Sequence, residues 1–370
     1  VSGTEAVPLV VHGLDLSYFT GKLQAYLRAT GIPWVHREMD LADLRRCGTV
    51  TGILQMPAVE MPDGSWLTDT TPTIRYLESH YATPTVLPVE ETARFLALLL
   101  EDYADEWLWR PALYYRWAFA TDARLLSRRI AESLVGGPPW LLPFSAFAFR
   151  VRQRHVYLNG EGVTRETRPA VEALYLHTLA ALETVFRQRP YLLGARPTVA
   201  DFGVFGPFFR HFFCDPTPAR LMRDQAPAVL EWVARLWNLR PQDWRNAPLP
   251  EGIPDGLDPL FATIRQDYLP YLLANDAAVA AGANRFTYRD AAGIDWSLQS
   301  NPYRAHCLDQ LKAAFSGLGP GGRAKIDAIL GRELVERSLS APRRQGVPDL
   351  LPPLPIRSSP ARRPTGRWWR

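Results

Sequence analysis

The chain has 370 residues, of which 47% are apolar, 22% charged and 11% aromatic, with a formal charge of +4. That length asks for two or three domains rather than one small core. The positive sign belongs to the tail and not to the body, because eight arginines and one acid lie from Arg337 onward and the chain before them is near neutral, so it does not point to a nucleic-acid-binding body.

No apolar run reaches the ~18 residues of a membrane helix; the nearest, Trp140 to Phe149, contains Pro143 and Ser145. The N-terminus shows no basic, apolar and small-residue pattern of a signal peptide. Cys47, Cys214 and Cys307 are isolated. This predicts a reducing, cytoplasmic setting, no zinc site and no paired redox cysteines.

Leu9-Val10-Val11 opens as a short buried strand. Ser17 is a good N-cap for a helix running to about Thr30, on which Phe19, Leu23, Tyr26 and Leu27 recur at helical spacing. Gly31 and Pro33 stop it. Trp34 to Met39 reads as a second strand and Leu41 to Cys47 as a short helix or irregular segment. Gln55-Met56-Pro57-Ala58-Val59 enters a third strand through a proline. Glu60 to Leu67 is a hairpin turning at Asp63-Gly64. Asp69-Thr70-Thr71-Pro72 starts a helix that reaches about His80, with proline in its first turn. The order, β-α-β and then β-β-α, is a thioredoxin-like arrangement.

Tyr81 to Pro88 reads as a linker. Beyond it the pattern is helical. Glu90 to Phe119 is a long helix divided near Pro111, followed by helices over Thr121 to Leu134, Arg168 to Phe186, Thr198 to Phe213 and Ala228 to Trp237. Gly136-Gly137-Pro138-Pro139 breaks the pattern. Gly256 to Ala281 is mostly helix, Phe286 to Leu298 a small hairpin, and Pro302 to Phe315 a further helix. From about Ser338 the Pro- and Arg-rich composition predicts disorder.

Four segments, taken in order, resemble the cytosolic glutathione transferase superfamily. They are Ser17-Tyr18-Phe19-Thr20-Gly21-Lys22-Leu23, Gln55-Met56-Pro57-Ala58-Val59, Asp69 to Leu77, and Tyr191 to Phe202 with its Thr198-Val199-Ala200-Asp201 capping box. The resemblance covers roughly residues 1–240 and implies an α/β plus all-α protein. Its parts would be a thioredoxin-like glutathione-binding domain over 1–84, an all-α domain over 89–245, an accessory helical extension with a small hairpin over 246–336 and a disordered tail over 337–370. Pro72, Thr73 and Thr70 depart from the family pattern. The first strand ends in Val11-His12-Gly13, with no tyrosine, so the resemblance implies a Ser-type transferase.

The resemblance implies these roles. Ser17 donates its hydroxyl to the glutathione sulfur and holds it as thiolate, with Tyr18 the runner-up; otherwise Ser17 only caps its helix. Met56-Pro57 is cis and presents backbone to the tripeptide. Gln55 also meets that backbone. Asp69 and Thr70 take the γ-glutamyl ammonium and carboxylate. Arg45 or Arg46 meets the glycine carboxylate. Tyr103, Trp107, Arg110 and Tyr114 line the pocket of an apolar electrophile, or else are core. Asp201 is structural.

The function expected is conjugation of glutathione to an apolar electrophile, a detoxification reaction, by a cytoplasmic homodimer with glutathione as co-substrate and no metal. The alternative is a non-catalytic glutathione-binding or scaffold protein. Disulfide or dehydroascorbate reduction would want cysteine at position 17.

Overall fold

The computed structural model describes residues 7–81, 84–343 and 354–357. The first domain is built from β1 (Leu9–Gly13), α1 (Tyr18–Thr30), β2 (Trp34–Glu38), α2 (Leu41–Thr51), β3 (Ala58–Glu60), β4 (Trp66–Thr68) and α3 (Thr70–His80). The sheet order is β2-β1-β3-β4, with β1 and β2 parallel and the other pairings antiparallel. This is the thioredoxin-like arrangement. Gly31, at φ 75°, ends α1 as its left-handed C-cap. Gly64, at φ 79°, supplies the turn between β3 and β4.

Register fixes what matters most for function. His12 of β1 stands opposite Ala58 of β3, and Ala58 stands opposite Thr68 of β4. The loop from Gly13 to Ser17, the Met56–Pro57 peptide and the Asp69–Thr70 step therefore meet at one end of the sheet. The N-termini of α1 and α3 start from that same end.

The helical domain follows. It contains α4 (Glu91–Glu106), α5 (Trp109–Ala118), α6 (Ala120–Leu134), α7 (Leu142–Gln153), α8 (Arg168–Gln188), α9 (Val199–Pro207), α10 (Pro216–Gln225), α11 (Pro227–Asn238) and the single turn α12 (Pro241–Trp244). The expected long helix is divided at Trp107–Leu108, ahead of Pro111, which sits in the first turn of α5 where a missing N–H costs nothing. Two helices run on through π-helical turns, α7 into Arg154–Leu158 and α9 into Phe208–Phe213. Every residue of α9 is buried, and the helix packs against α4 and α1. Its start is held by Asp201, whose carboxylate accepts from the Thr198 amide (2.8 Å), the Thr198 hydroxyl (3.1 Å) and the Leu192 amide (2.8 Å).

The remaining chain forms α13 (Asp258–Thr263), a π-helical turn (Ile264–Tyr268), α14 (Leu269–Ala280), the antiparallel hairpin β5 (Arg285–Arg289) and β6 (Asp295–Gln299), and α15 (Pro302–Ser316), α16 (Pro320–Leu330) and α17 (Arg332–Ser338). α15 and α16 lie against α4. Part of the stretch expected to be disordered belongs to the fold. Ser338 and Leu339 are buried, and Ile356 pairs with Trp66 of β4 through Trp66 N–H to Ile356 O (2.8 Å) and Ile356 N–H to Trp66 O (2.7 Å). Ile356 and Leu339 are buried side chains that a composition-based reading passes over. The rest of the expected tail, 344–353 and 358–370, lies outside the described residues.

Candidate functional site

Ser17 is the N-cap of α1, at φ −78° and ψ 133°. Its Oγ accepts from the Thr20 amide at 3.4 Å, a long capping bond, and the side chain is half-buried. A hydroxyl at a helix N-terminus sits in a field that favours an anion beside it.

Tyr18 is placed differently. It is 1% exposed, and its hydroxyl donates to the Ala104 carbonyl of α4. Burial pushes its pKa far up, helped by Asp105 and Glu106. Tyr18 joins the two domains and has no proton to offer at the site, which removes it as a sulfur donor.

Met56–Pro57 is cis. Gln55 donates from Nε2 to Thr68 Oγ1 (2.8 Å), fastening the loop to β4. Asp69 takes φ 65°, the one positive φ among described non-glycine residues, and caps α3 by accepting from the Thr71 amide at 3.2 Å. Its other carboxylate oxygen accepts from Tyr303 of α15 at 2.5 Å. Burial raises the Asp69 pKa, while Tyr303 and Lys22 pull against that rise. Thr70 is buried as the first residue of α3. Arg45 and Arg46 are both exposed, and Arg46 is engaged by Glu60 (3.1 Å) and Asp43 (3.4 Å).

Behind this corner lies an ionic knot that the sequence reading missed. Lys22 is 0% exposed, and its Nζ donates to Glu101 (2.7 Å), Asp105 (2.5 Å) and Thr71 Oγ1 (3.3 Å). Burial lowers the Lys22 pKa, but the two carboxylates outweigh it and the net shift is upward. The signal was available: Lys22 falls among the inward positions Phe19, Leu23 and Tyr26 of α1, where a charge needs a partner. Next to the knot is a cavity of about 320 Å³ between α3, α4 and α15, walled by Thr71, Arg75, Glu101, Asp105, Glu106 and Tyr303 among others.

The four residues expected around a second substrate are not at an open surface. Tyr103, Trp107, Arg110 and Tyr114 are all 5% exposed or less. Tyr103 and Trp107 pack edge-on or tilted against Tyr268 and Tyr271 of the C-terminal extension. The Arg110 guanidinium lies between Trp107 (4.4 Å) and Trp296 (4.6 Å). Tyr114 bonds Glu172. An apolar helix face has to be covered, and here the extension covers it. The half-buried aromatic group nearest Ser17 in sequence is another one. Phe19 stacks on Trp109 (5.9 Å between centroids, 28°), and Trp109 meets Tyr157 edge-on (6.3 Å).

Among the described residues one trio of metal-ligating types converges, buried His12, Asp43 and Cys47, with donor atoms within 4.8 Å. His12 Nδ1 is 2.7 Å from Asp43. Arg46 and Arg37 already approach the same carboxylate at 3.4 and 3.7 Å, and burial together with Asp43 pushes the Cys47 thiol up to about 12. The trio is a neutral thiol beside a carboxylate that already bonds His12 and lies close to two arginines.

Residues 11–85 match the family described as glutathione S-transferase, N-terminal domain, and residues 165–235 match glutathione S-transferase, C-terminal domain. Isoprene-epoxide–glutathione S-transferase of Rhodococcus sp. (strain AD45) is 23% identical over 203 residues, which is 55% of this chain and 82% of that protein. Among solved structures, a GST-like protein from Pseudomonas syringae has 18% identity and a TM-score of 0.42, covering 68% of this chain and 78% of that one. The beta-etherase LigF of Sphingobium sp. strain SYK-6 has 17% identity and a TM-score of 0.45, covering 64% and 97%.

Proposed function

The chain is a member of the glutathione transferase superfamily, and from that premise we propose that it conjugates glutathione, through its thiolate, to an apolar electrophile. The observation that carries this reading is the convergence of Ser17, cis Met56–Pro57 and Asp69–Thr70 at the end of the sheet where α1 and α3 begin. A free thiol of pKa about 8.5 is mostly protonated at neutral pH. The Ser17 hydroxyl and the amides of the first turn of α1 stabilise the anion and lower that value.

Glutathione lies extended along the backbone before Pro57, with its γ-glutamyl end at Asp69 and Thr70. The Asp69 carboxylate pairs with the α-ammonium, and the N-terminus of α3 with the α-carboxylate. Arg45, the uncommitted one of the two candidates, meets the glycine carboxylate. The electrophile rests on Phe19, Trp109 and Tyr157. The named Rhodococcus relative acts on isoprene epoxide, a small apolar electrophile, which agrees with that surface. Detoxification in the cytoplasm is the role that follows. A homodimer in this reading uses a face other than the outer side of α4, which α15 and α16 cover.

One observation favours the competing reading, a glutathione-binding protein without turnover. Tyr303 occupies an oxygen of Asp69 at the γ-glutamyl corner. The two readings separate by titrating glutathione calorimetrically and then assaying a panel of epoxide and aryl halide electrophiles. Binding with turnover supports the transferase, binding without turnover supports the second reading, and no binding at millimolar glutathione removes both.

A further inference from the structure

α7 departs from the usual distribution of apolar side chains. Trp140 is 68% exposed, Phe144 71% and Phe147 58%. Phe144 and Phe147, with Ala148 and Val151, also exposed, recur at spacings of three and four on α7. On a helix these positions fall within one band about 100° wide. Exposed Trp140 and Leu141 lie in the turn just before the helix, and with the two phenylalanines they make up an apolar patch of a kind that monomeric proteins keep small. The opposite side of the helix does the packing, where Phe149 meets Trp117 at 5.8 Å and Ala146 and Gln153 are buried.

The charge around the patch says what covers it. Between residues 120 and 158 there are six arginines and two acids, while the rest of the chain up to residue 336 is net acidic. Of the two acids, Asp122 is buried and spent on Thr217, and Glu132 is matched by Arg128. Arg150 and Arg152 border the aromatic band, and α6, which packs against α7, exposes Arg124, Arg128 and Arg129. An aromatic face edged by arginine is the pattern of a helix that lies in the plane of a lipid surface, rings among the acyl chains and guanidinium groups at the headgroups. Tryptophan is favoured at that depth.

We propose that α7 docks this protein on an anionic membrane surface, as a peripheral contact. Among the described residues no helix is long and apolar enough to cross a membrane. α7 continues directly into the Arg154–Leu158 turn that carries Tyr157, which meets Trp109. The docked helix is thereby continuous with the aromatic group of Phe19, Trp109 and Tyr157 on which the proposed electrophile rests, and a lipid-dissolved electrophile has a route to it from the bilayer. That last link rests on the proposed transferase function; the docking itself does not.

The test is flotation of the full chain with vesicles of phosphatidylcholine alone and with added phosphatidylglycerol, read without glutathione or electrophile. The expected result is association with the anionic vesicles, at least tenfold weaker with the neutral ones and weakened again by raising salt from 0.05 to 0.5 M on the order of the change that screening implies. Phe144→Ser combined with Phe147→Ser abolishes it and leaves the thermal midpoint unchanged, since both rings are exposed. Arg150→Glu with Arg152→Glu removes the preference for anionic lipid. Failure to float with either vesicle overturns the proposal, as does binding that survives the double serine variant. Light scattering that shows a dimer split by Phe144→Ser also overturns it, because the face would then belong to a second copy.

Discussion

Tyr303 donates its hydroxyl to Asp69 across two domains, from the second helical residue of α15 to the residue that caps α3. The contact brings the C-terminal extension into the γ-glutamyl corner. Because the bond favours the ionised carboxylate, it opposes the rise in Asp69 pKa that burial causes. Tyr303→Phe removes that opposition, so the carboxylate takes up a proton at higher pH and loses its orientation. Glutathione binding, followed by calorimetry, is expected to weaken about three- to tenfold, the scale of one ordinary hydrogen bond's net worth, with the deficit growing as pH falls. Tighter binding in the variant would instead mean that Tyr303 competes with the ligand for Asp69.

Ser17→Ala is expected to lower kcat/KM for a model electrophile roughly 100-fold, the scale of losing one positioned donor to a developing or resident anion. Glutathione affinity changes little, because the tripeptide backbone and γ-glutamyl contacts remain. The acidic limb of the pH–rate profile moves up toward the free-thiol value of about 8.5. Ser17→Thr retains most of the rate. Loss of the long capping bond costs about 0.5–1 kcal/mol of stability, so a rate drop explained by unfolding would show in the thermal midpoint.

Lys22→Met leaves Glu101 and Asp105 buried without their cation. Removing one partner of such a knot costs about 3–5 kcal/mol. Thermal or urea unfolding should show a large drop. Asp105→Asn in the Lys22→Met background should recover part of it by discharging one acid.

Asp102, which accepts from Tyr268 of the extension, has its pKa pushed up to about 7, chiefly by desolvation and against the Tyr268 bond. A carboxyl whose folded value lies above the unfolded value of about 3.9 binds a proton more readily in the fold. Its contribution to stability is therefore fullest at low pH and is lost as pH rises from about 4 to about 7, by at most about 1.4 kcal/mol per pH unit. Asp102→Asn should flatten the pH dependence of unfolding in that window and raise stability at pH 8. An unchanged slope in the variant would show that Asp102 is not the group responsible.

The first domain was legible because its signals are local. Gly31 after an amphipathic run, Asp63-Gly64 between short apolar runs, and Pro72 in a first turn each specify backbone within a few residues. Thr198 and Asp201 were legible for the same reason. Tyr103, Trp107, Arg110 and Tyr114 were not. Their helical spacing says that one face must be covered, but not by what: for Tyr103, Trp107 and Arg110 the cover arrives from Tyr268, Tyr271 and Trp296, more than 150 residues away, and for Tyr114 a bond comes from Glu172. Tyr303 and Lys22 failed on the same ground, since each meets partners distant in sequence. In sequence, α7 stands out only as an apolar run too short for a membrane. Pro143 in its first turn and the repeat of Phe144, Phe147 and Val151 were the helical signals it carried.

The pairing of Ile356 with Trp66 has a consequence for how copies of this protein behave toward one another. β4 is the last strand of its sheet, and a last strand offers a row of unpaired amides and carbonyls to any passing chain. Here the molecule lays its own C-terminal segment along that row at Trp66. A protein shortened before residue 354 would present the bare strand, and self-association through sheet addition, rather than unfolding, is the first fault to look for in it.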